Sequence, residues 1–338
     1  MTQPTFRYRA AETSTGGHWH AMARLCQVLV CLLLPPILWG SNFVIGRAVH
    51  GTIDPFSLNY YRWLIAFVVL APMSWPALRG CWRSIVRRWR WVLTLSLLSV
   101  VSFNTLVYTA LTMTTSAQGA LLHAATPLVT MALALILLGD RFCGRQLAGC
   151  LLSFGGAVLV ISNGVITFSL NHGEGIMLVT VAIWALFTVL LKIRPADVPA
   201  LALLQSLILV GLVVQTPFFL AYGTSPHEIL ERSPEALIAA LYLGVAASAL
   251  AYWLWDKAIE IVGPTAASQF FHLVPLSAAI MAWSVLGESL SIRQWIGALL
   301  VLAGLMAAQG PAIMQRHWRA RATGGGGKVR AARQGRLL

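Results

Sequence analysis

P-L-V-T-M-A-L-A-L-I-L-L-G-D-R-F-C-G-R-Q-L-A-G-C-L-L-S-F-G-G runs from Pro127 to Gly156. P-L-S-A-A-I-M-A-W-S-V-L-G-E-S-L-S-I-R-Q-W-I-G-A-L-L-V-L-A-G runs from Pro275 to Gly304. The two stretches align without a gap at an offset of 148 residues. Pro127/Pro275, Leu138/Leu286, Gly139/Gly287, Arg145/Arg293, Gln146/Gln294, Gly149/Gly297 and Gly156/Gly304 are identical, and Asp140/Glu288 keeps the acid. Each copy reads as an apolar helix, a short turn with an acid and then a base, and a second apolar helix. Apolar helices resemble one another by composition alone. An acidic turn followed at fixed spacing by Arg-Gln-x-x-Gly does not arise that way, so the chain holds an internal duplication.

Composition says where such a chain folds. Of its 338 residues 58% are hydrophobic and only 10% charged, and the mean hydropathy is +0.74. A soluble domain carries about 25% charged residues, so this chain cannot cover a water-facing surface. Apolar runs of membrane-crossing length recur along it, which predicts spanning helices rather than barrel strands. The net charge of +13 sits in the connections and the C-terminal tail. That is a topology signal, and with no zinc-finger or RNP pattern present it does not point to nucleic acid. The five cysteines show no metal spacing, and with Cys81 and Cys143 in cytoplasmic turns no disulfide is expected. The first apolar run is too long for a signal-peptide core and has no small-residue cleavage site, so it is expected to stay as a span.

Hydropathy predicts an all-α polytopic membrane protein with ten transmembrane helices. They fall at Leu25–Val49, Phe56–Trp75, Trp91–Thr112, Ser116–Leu138, Arg145–Asn163, Gly175–Leu191, Pro199–Tyr222, Pro234–Trp255, Pro264–Leu286 and Arg293–Ile313. Residues 1–24 form an N-terminal tail, 25–163 a first repeat of five helices, and 175–313 a second. Residues 314–338 form a basic, glycine-rich tail with the composition of a disordered segment. Lys and Arg set the orientation: 20 lie on one side of this topology and 3 on the other, with Arg62 inside the second span. That bias puts both termini in the cytoplasm. Five helices per repeat is an odd number, so the copies are expected to be inverted repeats about an axis in the membrane plane. The basic, aromatic second loop from Arg79 to Trp91 is expected to lie on anionic lipid.

Further stretches carry a resemblance. They are W-G-S-N-F at Trp39–Phe43, Pro55 and Arg62 in D-P-F-S-L-N-Y-Y-R, and N-T-L-V-Y-T-A-L at Asn104–Leu111. W-A-L-F-T-V at Trp184–Val189 and A-Y-W-L-W-D-K-A at Ala251–Ala258 are their counterparts in the second half. With both Pro-Leu…Leu-Gly-Asp/Glu blocks, the chain resembles the EamA-type permeases of the drug/metabolite transporter superfamily over about residues 30–312. The resemblance implies ten helices in two inverted five-helix repeats, with helices one to four and six to nine around a cavity and helices five and ten outside. It also implies export of small metabolites, amino acids among them, across the bacterial inner membrane.

Ionisable residues at membrane depth are costly and face a cavity or a partner. Arg62 either binds a substrate carboxylate bidentately or serves as a structural arginine. His123 and His272 occupy similar stations in spans four and nine. They either carry a coupling proton or contact substrate, or are neutral and bonded within the bundle. Asn42, Asn104, Tyr108, Trp184, Trp253 and Gln269 complete a candidate substrate wall, alongside Trp39, Ser41, Thr105 and Tyr252. Each of these is also a candidate interhelical contact. No Asp or Glu lies well inside a span, so proton coupling would fall to the histidines or to Asp256 and Glu260 at a helix end. Asp140 and Glu288 suit the start of helices five and ten against the dipole.

The expected function is a secondary transporter, not an enzyme. It moves a small metabolite, an amino acid or amino-acid-like compound, out of the cytoplasm by alternating access. The partners are the solute and the lipid bilayer, with proton coupling and facilitated exchange without ion coupling as the two alternatives, and no cofactor or metal is expected. No Walker motif is present for ATP, and no carboxylate cluster, metal spacing or activated nucleophile for an enzyme. A second reading is an importer of a vitamin or other small metabolite.

Overall fold

A computed structural model of the protein describes residues 15–162, 171–286 and 291–322. Glu288 and most of both tails lie outside the described residues. Helix α1 spans Thr15–Ala48, α2 Pro55–Arg87, α3 Trp89–Met113 and α4 Ser116–Leu138. Helix α5 spans Gly144–Ser162, α6 His172–Leu191, α7 Ala200–Tyr222 and α8 Pro234–Val262. Helix α9 covers 264–286, and α10 spans Ile292–Ala322. A short helix, Pro226–Arg232, sits between α7 and α8. Among the described residues eight helices, α1 to α8, are long and apolar enough to cross a membrane, and Ile292–Ala308 of α10 is a shorter apolar helix. The protein is a polytopic all-α membrane protein.

Several helices outrun their apolar cores, because backbone hydrogen bonding continues where hydropathy stops. Helix α2 does not end near Trp75 but runs on to Arg87, burying Leu78, Cys81 and Ile85 and leaving Trp82 and Val86 exposed. Only Arg88 separates it from α3, so the basic second loop is mostly helix. Helix α8 continues past Trp255 to Val262, carrying Asp256 and Glu260 with it. Helix α10 reaches Ala322, so the start of the tail beyond Ile313 is helical.

The paired prolines break helices. Helix α4 consists of Ser116–His123 and Thr126–Leu138, with Pro127 in its second part. Helix α9 consists of Pro264–Ser268, a 3₁₀ turn Gln269–His272, and Leu273–Leu286, with Pro275 in its last part. A proline has no N–H and crowds the carbonyl four residues before it. Those carbonyls belong to His123 and Phe271. The repeated Gln has a local task as well. Gln146 Oε1 accepts from the Cys143 amide at 3.0 Å, and Gln294 Oε1 accepts from the Ser291 amide at 2.9 Å. Both glutamines tie down amides at a helix start that have no partner within the helix.

Packing joins the halves. Helix α1 lies against α8 and α9, and α6 against α3 and α4. Helix α2 pairs with α7, and α5 with α10. Exchanging first-half for second-half helices leaves these pairings unchanged. The α5–α10 contact shows this at atomic scale. A Cβ on Gly149 would stand 2.6 Å from the Gly304 carbonyl oxygen, and one on Gly156 would stand 2.7 Å from that of Gly297. Between them Ser153 Oγ donates to the Val301 carbonyl at 3.0 Å. Small residues let two backbones approach in lipid, where no hydrophobic drive holds helices together.

Candidate functional site

Helix α2 starts cleanly, with Asp54 as N-cap accepting from the Ser57 amide at 2.9 Å and Pro55 in the first turn. Leu58, Arg62, Ala66 and Leu70, four residues apart, form its buried stripe, while Val68, Val69 and Met73 face outward. Arg62 is therefore carried to the centre of the protein, where it is 0% exposed.

Its guanidinium is held by neutral oxygens. Nε donates to Ser248 Oγ at 2.7 Å, and Nη1 to Asn42 Oδ1 at 3.0 Å, to Asn104 Oδ1 at 2.8 Å and to the Tyr108 hydroxyl. Nη2 makes one longer contact, 3.4 Å to the Ala247 carbonyl. Tyr108 in turn donates to Asn42 Oδ1 at 2.7 Å, and Asn104 Nδ2 donates to the Tyr252 hydroxyl at 3.1 Å. No carboxylate among the described residues lies within ion-pair distance of Arg62. A charge taken out of water costs several kcal/mol by order of magnitude unless it is hydrogen-bonded or paired. Here hydrogen bonds, with the Trp63 and Tyr108 rings 5.5 and 5.7 Å from the guanidinium carbon, offset that cost, and Nη2 keeps donor capacity.

Wide helical turns supply part of the site. Helix α3 is π-helical over Leu97–Phe103 and α8 over Leu243–Leu250, and the two segments overlap at the 148-residue offset. Bonding to the fifth residue instead of the fourth reroutes backbone carbonyls, and π turns of this kind recur at functional sites. The Ala247 carbonyl accepts from Trp39 Nε1 at 3.0 Å as well as from Arg62, and the Val100 carbonyl accepts from Asn59 Nδ2 at 2.9 Å. At Gly244 an added Cβ would stand 2.8 Å from the Arg62 carbonyl, so α8 meets α2 there, one turn before Ser248.

An aromatic cage lies beside this network. Trp39 packs on Trp184, Tyr252, Trp255 and Phe271, with ring centroids 5.0–5.6 Å apart. Phe103 continues it, 4.6 Å from Trp184 and 5.6 Å from the His123 ring. His123 Nε2 is 2.9 Å from Thr180 Oγ1, on the same α6 face as Trp184. His272 and Gln269 lie in the 3₁₀ turn of α9, both buried, and Gln269 Nε2 reaches only the Met131 sulfur at 4.0 Å. His123 Nδ1, Gln269 Oε1 and both His272 ring nitrogens have no hydrogen-bond partner of ordinary geometry.

The structure thus gathers Arg62, Asn42, Asn104 and Tyr108 into one network and sets Trp184 in the cage beside it. The histidines and Gln269 stand at the breaks of α4 and α9. Trp253 packs half-buried on the apolar core and makes no ring contact with the cage. Sequence reading missed Ser248 and the Ala247 carbonyl. A serine in an apolar run carries little signal, and a backbone carbonyl carries none until the π turn is seen.

The fold is thus a bundle of membrane-crossing helices around an enclosed polar network. The profile of the EamA-like transporter family matches residues 27–162 and again 171–308, so the chain belongs to the EamA-like transporter family and holds two copies of its domain. An uncharacterized transporter of Archaeoglobus fulgidus is 30% identical over 283 residues, 81% of this chain and 94% of its own. The uncharacterized transporter YyaM of Bacillus subtilis is 29% identical over 290 residues, 84% of this chain and 93% of its own. A solved crystal structure, 18% identical, matches the fold with a TM-score of 0.67 over 86% of this chain and 98% of its own. The protein is a membrane transporter of small molecules and not an enzyme.

Proposed function

We propose that the protein is a secondary carrier that exports an amino acid or amino-acid-like compound from the cytoplasm by alternating access. The observation that carries this reading is Arg62: a fully buried cation with only neutral partners, where α1, α2, α3 and α8 meet. A solute carboxylate can take up the spare Nη2 donor and supply the missing negative charge. The aromatic cage of Trp39, Trp184 and Tyr252 offers its apolar body a surface. Asn42, Asn104, Tyr108, Trp253 and Gln269 complete the proposed binding set, and His123 and His272 are its candidates for proton coupling.

The proposal includes ten spans in two inverted five-helix repeats, with both termini in the cytoplasm of a bacterial inner membrane. The exchange-invariant helix pairing and the matching π turns in α3 and α8 support it. Two such halves can trade conformations, which opens one central site to each side in turn.

The test is an efflux screen. Cells overexpressing the protein are challenged with inhibitory amino acids, their analogues and cationic drugs, and intracellular pools are measured. A lowered pool of one amino-acid class is the expected result. Unchanged pools with the protein present in the membrane would overturn export of these compounds. Uptake assays with vitamins would then test the importer reading.

A further inference from the structure

Tyr252, Asp256 and Glu260 are spaced four apart on α8 and share one face of it. Tyr252 belongs to the central network through Asn104. One turn on, Asp256 is buried and accepts from Arg194 Nη1 with both carboxylate oxygens, each at 2.7 Å. Another turn on, Glu260 lies 2.9 Å from Arg194 Nη2. Between Tyr252 and Asp256 is a small cavity, its wall formed by Phe187, Leu191, Leu203, Leu204 and Leu207 from α6 and α7. The face thus leads from the central site, past an apolar cavity, to an ion pair at the helix end.

We propose that Arg194 and Asp256 are the gate of the transport route at this end, latched shut in the present conformation. The inference rests on the alternating-access reading. Three features set this pair apart from a merely structural one. First, Arg194 stands on the connection between α6 and α7, not on a helix, so it can swing without displacing α8. Second, the Asp256 side chain is only 8% exposed while that of Glu260 is 51% exposed, and Arg194 touches both. The guanidinium therefore has a solvent-facing carboxylate to keep when it leaves the buried one. Lys257, 4.0 Å from Glu260, and Lys192, whose Nζ reaches Gly263 at the end of α8, are further cations at this mouth. Third, a buried ion pair is a poor way to gain stability, since desolvation consumes most of the attraction, but breaking it is a discrete event. An apolar plug would have no such two-position character.

The gate is tested by cysteine accessibility, which needs no knowledge of the substrate. Cys26, Cys31, Cys81, Cys143 and Cys150 are replaced by serine, and Leu204→Cys is introduced into the cavity wall. Labelling by a membrane-impermeant maleimide is followed in inverted vesicles and in intact cells. Asp256→Asn is expected to speed labelling about tenfold from the vesicle side, as loss of a latch worth one decade in the closed-to-open ratio would do. The charge swap Arg194→Asp with Asp256→Arg is expected to restore slow labelling. A Leu95→Cys reporter, buried on α3 and not in the cavity wall, is expected to stay unreactive. The gate is overturned by any of three results: an unchanged Leu204→Cys rate in Asp256→Asn, an equal rise at Leu95→Cys, or a swap that fails to restore protection. If these reporters behave as expected while no solute pool changes, the latch stands and the export reading falls. Export without any reporter response sinks the gate alone.

Discussion

Asn104 and Tyr252 stand 148 residues apart, the period of the internal duplication, and are hydrogen-bonded to each other, Nδ2 to hydroxyl, at 3.1 Å. Positions that correspond in the two halves therefore meet at the centre of the protein, beside Arg62. Asn104 uses its amide to reach Tyr252 and its carbonyl to hold Arg62. Tyr252→Phe strands a buried donor, and such a loss costs about 1–3 kcal/mol. Thermal unfolding of the detergent-purified protein should show a lower midpoint for Tyr252→Phe. Asn104→Leu should fall further, because it also strips Arg62 of an acceptor.

Arg62 divides a charge requirement from a geometry requirement. Lysine keeps the charge but replaces a planar fork with a single ammonium. Arg62→Lys should lose at least about tenfold in transport of the solute found by the efflux screen, the equivalent of one strong hydrogen bond. Arg62→Ala should abolish transport. Both comparisons require equal amounts of protein in the membrane, measured by immunoblot. Full transport by Arg62→Lys would mean that the fork geometry does not matter.

The α5–α10 crossing makes adjacent glycines unequal. Gly156 faces the Gly297 carbonyl, whereas a Cβ on Gly155 would meet nothing within 4 Å. Gly156→Ala should destabilise by about 1–3 kcal/mol through overpacking. Gly155→Ala should be neutral or slightly stabilising, since alanine favours a helix by about 1 kcal/mol over glycine. Unfolding midpoints of the two variants, measured side by side, check the contrast.

Orientation can be read with native and introduced thiols. Cys143 is exposed in the connection between α4 and α5, and the Arg88–Asp197 ion pair joins two connections, α2–α3 and α6–α7, at one end of the bundle. Thr224 accompanies Asp54 at the other end, its hydroxyl donating to Oδ2 at 2.8 Å. An impermeant maleimide should label Cys143 only in inverted vesicles. A Thr52→Cys reporter, in the connection between α1 and α2, should be labelled only in intact cells. The reverse pattern would invert the proposed topology.

The amino-acid sequence alone determined that this is a membrane protein of helices, that it contains a duplication, and that Arg62 is set inside a span. These are properties of composition, period and charge placement, which a chain carries before it folds. It also showed the paired Pro127 and Pro275, whose missing amides break α4 and α9. Tertiary structure decided the rest. The π turns of α3 and α8 leave no mark in composition, so the carbonyl of Ala247 could not be foreseen as a partner of Trp39 and Arg62. Asp256 read as an acid at a helix border. Only the extension of α8 to Val262 and the return of the α6–α7 connection bury it against Arg194. Partners drawn from distant stretches of chain have no local signature, because their cost and benefit exist only once the helices are packed.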